Sequence, residues 1–221
     1  MQIKNKINDN YYYLASMGIY EEQFKEREEK QQMQIPQTMD NLKWEESDRG
    51  VWIPESVLYL VGEIAEYSLF DFMTRVRTVI RERDNKYSED ALNLIINSPG
   101  GDVSEMFGII DFMELLDTKV NTICRGSAQS AAAIILACGT GQRTASKYST
   151  IMFHQGSTFS QGKLSDVRAG LEYSKSVESK IYTLLGEKTK QPAEWWEDKM
   201  KSDFYISAKE ALELGVIDTI G

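Results

Sequence analysis

The sequence is poor in the residues from which metal and redox sites are built. Its 221 residues include one histidine, His154, and two cysteines, Cys124 and Cys138. No familiar soft-metal spacing can be assembled from that set, so neither a metal nor another cofactor is expected. Both cysteines stand in apolar surroundings and read as reduced core thiols. Positive charge is also in deficit. Lys+Arg number 25 against 34 Asp+Glu, a net charge of −9, which argues against nucleic acid and against an anionic membrane surface. Long apolar runs are missing too. The longest, residues 131–138, is far shorter than the roughly 20 residues that span a bilayer. The N-terminus has no apolar signal core, and no glycine-rich Lys-Ser/Thr phosphate loop occurs anywhere. A soluble cytoplasmic protein, with no nucleic-acid or membrane partner, is the expectation.

What is present is ordinary globular composition, 42% hydrophobic and 27% charged. It suffices for one domain with a real core, residues 51–221, and an N-terminal appendage, residues 1–50. Asn10, Tyr11, Tyr12, Tyr13 and Leu14 read as a short strand or an anchor. Residues 21–30 carry eight charges, with Phe24 the only apolar side chain, and read as a solvated helix or mobile segment. The appendage is an arm, a loop or an oligomer contact.

From residue 57 onward strands and helices alternate. A strand at 57–61, closed by Gly62, precedes a helix whose Leu69, Phe70, Phe72, Met73, Val76, Val79 and Ile80 mark a buried face. Arg75, Arg77, Arg81 and Arg83 cover its other side, and residues 85–90 form a polar loop. A second strand at 92–96 runs into Asn97-Ser98-Pro99-Gly100-Gly101, a strong turn signal whose glycines permit positive φ and close backbone approach. A helix at about 104–116 follows, then a strand at 120–124 with a tight turn at Arg125-Gly126. This order predicts a layered α/β fold with parallel pairing. Further on stand a long helix at 164–187 with a broken apolar stripe, and a helix from Pro192 to about Met200 in which Trp195 and Trp196 pack. A short strand at 203–206 precedes a capping box at Ser207 that opens a helix ending before Gly215. Val216 and Ile217 are expected to close the sheet.

The informative stretch is 120–155. Ser130 opens an alanine-rich apolar helix, about 130–138, where unpaired backbone N–H groups and the helix dipole suit an oxyanion. A polar turn and a strand ending at His154 follow. If the chain holds a Ser–His couple, its base is the one histidine. The bland alternatives are a serine N-cap and a satisfied strand-end histidine.

Four segments stand at informative separations: Asn97-Ser98-Pro99-Gly100-Gly101, Thr122 to Ser130, Met152-Phe153-His154-Gln155 and Asp203 to Ala208. Together they resemble the Clp protease proteolytic subunit (ClpP) family, as does Glu210 to Asp218. The resemblance covers about residues 50–221. It implies a crotonase-like layered α/β fold of repeated strand–helix units, with a protruding helix and, in this chain, a divergent N-terminal segment. It implies a serine endopeptidase with Ser130 as nucleophile, His154 as general base and Asp203 as the group that orients it. Gly101 and Ala131 match the backbone positions of the oxyanion hole. The chemistry is coherent, since a serine needs a base, the base a carboxylate, and the developing anion backbone donors. Asp102, Asp198 and Asp218 are rival third members. The resemblance further implies stacked heptameric rings, a tetradecamer, that enclose the sites and take peptides and unfolded proteins. An ATP-driven unfoldase would be the partner, because the chain has no phosphate loop of its own.

The chain departs from that pattern at four places. Ala131 stands where methionine is common, and one residue is missing near 139–143. Gly156, Thr158 and Phe159 replace a proline and a glycine pair, and residues 1–50 do not match the family's short N-terminal loops. Other readings are a viral capsid or scaffold maturation protease of the same fold, a crotonase-type acyl-CoA enzyme, and an inactive ring subunit.

Overall fold

The computed structural model describes residues 51–52, 56–82, 91–157 and 161–221. The readings made for residues 1–50, for the loop at 85–90, and for Arg83, Thr158 and Phe159 lie outside them. Among these described residues the eight strands are β1 (Val51–Trp52), β2 (Val57–Ile64), β3 (Leu92–Gly101), β4 (Val120–Gln129), β5 (Arg143–Ala145), β6 (Thr150–Phe153), β7 (Phe204–Ser207) and β8 (Thr219–Ile220). The helices are α1 (Ser68–Glu82), α2 (Val103–Leu115), α3 (Ala131–Ala137), α4 (Leu164–Lys188), α5 (Ala193–Lys199) and α6 (Ala208–Leu214). The described domain is a mixed α/β fold built on a largely parallel sheet, as the alternation predicts.

The sheet runs β1-β2-β3-β4-β5-β8, and β6 and β7 branch from β4. The branch is the feature that makes the site. Residues 122–124 of β4 pair in parallel with β5, while 127–129 pair in parallel with β6. Between them Gly126 adopts φ +101°, a conformation that suits glycine. Asn97 holds the fork open from β3, its Oδ1 accepting the Ser127 N–H at 3.1 Å. The tight turn expected at Arg125-Gly126 is therefore a change of partner within one continuous strand. The polar turn before His154 likewise contains a strand, β5. Its pairing to β8 moves the sheet's closing strand from Val216-Ile217, both buried, to Thr219-Ile220.

A second expected turn is also strand. β3 continues through Asn97 to Gly101, because Glu63 and Ile64 of β2 pair with Gly100 and Gly101. Gly62, expected to close β2, instead sits at a register shift inside it, with φ +84°. Local glycine signals read as punctuation here, whereas the ladder runs on with irregularities.

One face of the sheet is covered. Leu92, Leu94, Ile96, Val120 and Cys124 point to a core shared with Phe72, Val76 and Val79 of α1 and Met106, Ile109, Ile110 and Met113 of α2. The buried stripe of α1 is narrower than its apolar composition, since Phe70 and Ile80 are exposed. Every residue of α3 is buried. It packs on β3 and β4, touching α2 and α4, so its small alanines let it lie close to the sheet. Burying each large aliphatic side chain contributes about 1.5–3 kcal/mol. The α6 capping box forms as read, with Ser207 and Glu210 bonding reciprocally and Gly215 left-handed at the C-cap.

Helix α4 has 25 residues, about 37 Å at 1.5 Å per residue. Its buried residues, Ile181, Tyr182 and Leu185, all lie near its C-terminal end. The N-terminal half, including Leu164, Leu171 and Tyr173, is exposed and projects from the domain.

Candidate active site

Ser130 joins β4 to α3. Its backbone is at φ 53°, ψ −125°, outside the region a serine ordinarily occupies. Neighbouring bonds hold it there. Its N–H donates to the Met152 carbonyl at 2.8 Å, and its carbonyl accepts the N–H groups of Ala133 and Ile134. The side chain does not cap the helix. Its hydroxyl lies 2.8 Å from His154 Nε2. Ser130 thus takes the N-cap position without the capping bond, and the strand-end His154 finds its polar partner in the serine hydroxyl. A strained serine on a strand–turn–helix element, with its hydroxyl against an imidazole, is placed so that the ring can take the hydroxyl proton.

Two strand registers bring the pair together. Gln129 is opposite Met152 in the parallel β4–β6 ladder, so Ser130, one residue on, and His154, two residues on, leave the two strands at the same end. Phe153 is opposite Phe204 in the antiparallel β6–β7 ladder, so His154 leaves one strand where Asp203 enters the other. His154 Nδ1 is 3.7 Å from Asp203 Oδ1, ion-pair range but too long for a hydrogen bond. The Asp203 side chain is 60% exposed and that of His154 29%.

The rival carboxylates are engaged elsewhere. Asp102 is the N-cap of α2 and accepts the Glu105 N–H. Asp198 pairs with Lys201 on the surface. Asp218 takes two side-chain hydrogen bonds from Arg143, from Nε at 3.1 Å and from Nη2 at 2.6 Å, which hold its carboxyl below the usual range. Of the four, Asp203 is the one beside His154.

Ala131 is the first residue of α3, so its N–H has no intrahelical acceptor. The end of β3 lies against it. A Cβ on Gly100 would come within 2.5 Å of the Gln129 carbonyl, 2.8 Å of Ser130 Cβ and 2.9 Å of Ala131 N. The Gly100 N–H donates to Ser98 Oγ, and the Asp102 N–H to the Ile64 carbonyl. In a parallel ladder that register leaves Gly101's own N–H on the side away from β2. Gly100, absent from the site residues read in the sequence, is what allows the close approach. The double glycine was its signal, but which glycine faces the serine is a matter of register.

Other supports went unread. The Gln155 N–H donates to the Met200 carbonyl at 2.6 Å, and Gln155 Nε2 to Glu178 Oε2 at 3.1 Å. Next to His154 in the chain, Phe153 packs on buried Trp196, whose indole N–H donates to Thr189 Oγ1. Burial, then Glu178 and Glu197, raise the Tyr182 phenol at the α4–α5 contact. Burial pushes the Cys138 thiol up to about 12 and raises that of Cys124, so neither thiol is poised as a nucleophile. Among the described residues no group of three His, Cys, Asp or Glu side chains is placed to hold a metal ion, and no helix is long and apolar enough to cross a membrane.

The family profile described as Clp protease matches residues 55–221. The chain belongs to the Clp protease family. The match begins close to the start of β2 and takes in every element that builds the site. A relative in this family, the ATP-dependent Clp protease proteolytic subunit of Porphyromonas gingivalis (strain ATCC BAA-308 / W83), is 37% identical over 130 residues. That alignment covers 58% of this chain and 59% of the relative, so the chain spans about three fifths of the Clp relative it matches.

Proposed function

We propose that this chain is a serine endopeptidase that cuts peptides and unfolded proteins, with Ser130 as nucleophile. The observation that carries the reading is the 2.8 Å contact between Ser130 Oγ and His154 Nε2 at a strained serine. Neutral His154 takes the hydroxyl proton as Ser130 attacks the scissile carbonyl, then returns it to the leaving amine. The N–H groups of Ala131 and Gly101 receive the negative charge that develops on the carbonyl oxygen. Asp203 fixes the tautomer and stabilises the imidazolium. Its 3.7 Å separation is of the kind that tightens when substrate binds, and the exposed carboxylate is free to turn.

A crotonase-type acyl-CoA enzyme would use backbone donors but has no use for a serine in contact with an imidazole. The family relative is named as ATP-dependent. We accordingly assign ATP use to an unfoldase partner and the cutting to a chamber formed by copies of this chain, in the cytoplasm.

A fluorophosphonate probe tests the reading. Ser130 should be the labelled residue, and Ser130→Ala should abolish labelling and lower peptide turnover by up to about a millionfold. An assembled Ser130→Ala protein that cleaves at the parental rate would overturn it. Asp203→Asn should lower turnover by about 10⁴ with assembly intact. Full activity in that variant, with loss in Asp198→Asn, would move the third role to Asp198.

A further inference from the structure

The histidine lies just past the end of the β6–β7 ladder, whose last pair is Phe153 with Phe204. Strand pairing therefore does not hold the backbone that follows it. Beyond it the chain opens out, since a Cβ built on Gly156 would meet nothing within 4 Å. The point of attachment between ladder and open chain is Gln155. Its backbone is fastened to the C-cap of α5 through the Met200 carbonyl, and its side-chain amide to α4 through the Glu178 carboxylate. Glu178 is set in the firm part of α4, one turn before buried Tyr182. Gln155 itself reaches no atom of Ser130 or His154 through a side-chain hydrogen bond among the described residues.

We propose that Gln155 is a positioning residue. Its bond to Glu178 ties the strand end to α4 and thereby holds the His154 imidazole at Ser130. The proposal rests on the peptidase reading above. A carboxylate acceptor makes this bond stronger than a neutral one. Small errors in the placement of a base cost rate while leaving substrate binding largely unchanged.

The experiment compares Gln155→Ala, Glu178→Gln, Gln155→Glu and the swap Gln155→Glu/Glu178→Gln in the full-length protein. Fluorophosphonate labelling of Ser130, and kcat and KM on a short peptide, are read at matched assembly size and melting temperature. Gln155→Ala should lower kcat and the labelling rate about tenfold, with KM nearly unchanged. Glu178→Gln keeps an acceptor but loses its charge, and should fall between the parent and Gln155→Ala. Gln155→Glu sets two carboxylates against each other and should be at least as slow as Gln155→Ala. The swap restores a donor on α4 and an acceptor beside the base, so it should recover most of the parental kcat. Should Glu178 variants lose assembled protein, Gln155→Ala leaves α4 intact and decides alone. Parental kcat in Gln155→Ala, or a swap no faster than Gln155→Glu, overturns the positioning role. A parent protein that the probe does not label overturns the peptidase reading, and this proposal with it.

Discussion

At Ser130 the backbone is held at φ 53° while its hydroxyl faces His154 instead of the helix it precedes. Glycine at 100 is what lets β3 approach this elbow. Gly100→Ala would place a methyl carbon within 3 Å of Gln129, Ser130 and Ala131, at a residue whose φ is +92°. The neighbours are backbone and a Cβ, so they cannot swing aside as a flexible side chain would. We expect a stability loss of about 1–3 kcal/mol from overpacking and a further strain cost. Phosphonate labelling of the folded fraction should fall steeply, because the elbow itself must shift. Thermal melts with labelling kinetics check this, and an unchanged labelling rate would show that the glycine serves packing alone.

Arg143 works at the scale of elements. From β5 it binds Asp218 just before β8, and its Nη1 donates to the carbonyls of Ala137 at the end of α3 and Lys188 at the end of α4. One guanidinium thus closes the sheet edge and ties down two helix ends. The Arg143 hydrogen bonds depress the Asp218 carboxyl below its ordinary range. For a depressed acid the stabilisation is full above the ordinary carboxylate range and is lost as pH falls through the lowered folded value. Asp218→Asn should therefore melt below the parent at neutral pH, and the two should converge in acid. Because the Asp218 side chain is 41% exposed, the difference should be modest. Melting temperature against pH measures it, and a gap that persists below the folded titration would assign the effect to shape instead of charge.

For the whole molecule the question is what α4 does. Its exposed N-terminal half bears Leu164, Leu171 and Tyr173 on a projecting helix. In the chamber of copies proposed above, this half is expected to be a contact between them. Val177 packs partly on the domain's own core, so Leu171, 45% exposed, is the cleaner probe. Leu171→Asp should split the assembly and lower peptidase activity while leaving the domain's melting unchanged. Short peptides should be cut without nucleotide, and folded proteins should resist unless an ATPase unfolds them. Light scattering paired with both assays decides it. A fully active monomer, or rapid cleavage of stable folded proteins by the isolated chain, would show a free-standing protease.

Much of this was legible without coordinates because it is local. The alternation of apolar runs gave the α/β layers. Ser207 with Glu210 and Gly215 bounded α6 through cap chemistry that spans a few residues. A single histidine left one candidate base. What only the tertiary structure decided depends on pairing between distant strands. β4 passes from β5 to β6 as partner at Gly126, and a glycine at such a fork is locally the same as a glycine in a turn. Which aspartate stands beside His154 follows from the β6–β7 register, across 49 residues of chain, and which glycine faces Ser130 follows from the β2–β3 register. Register is set by the summed burial and hydrogen bonding of whole strands. A one-residue slip would turn each of these side chains to the other face, and no short motif records which register wins.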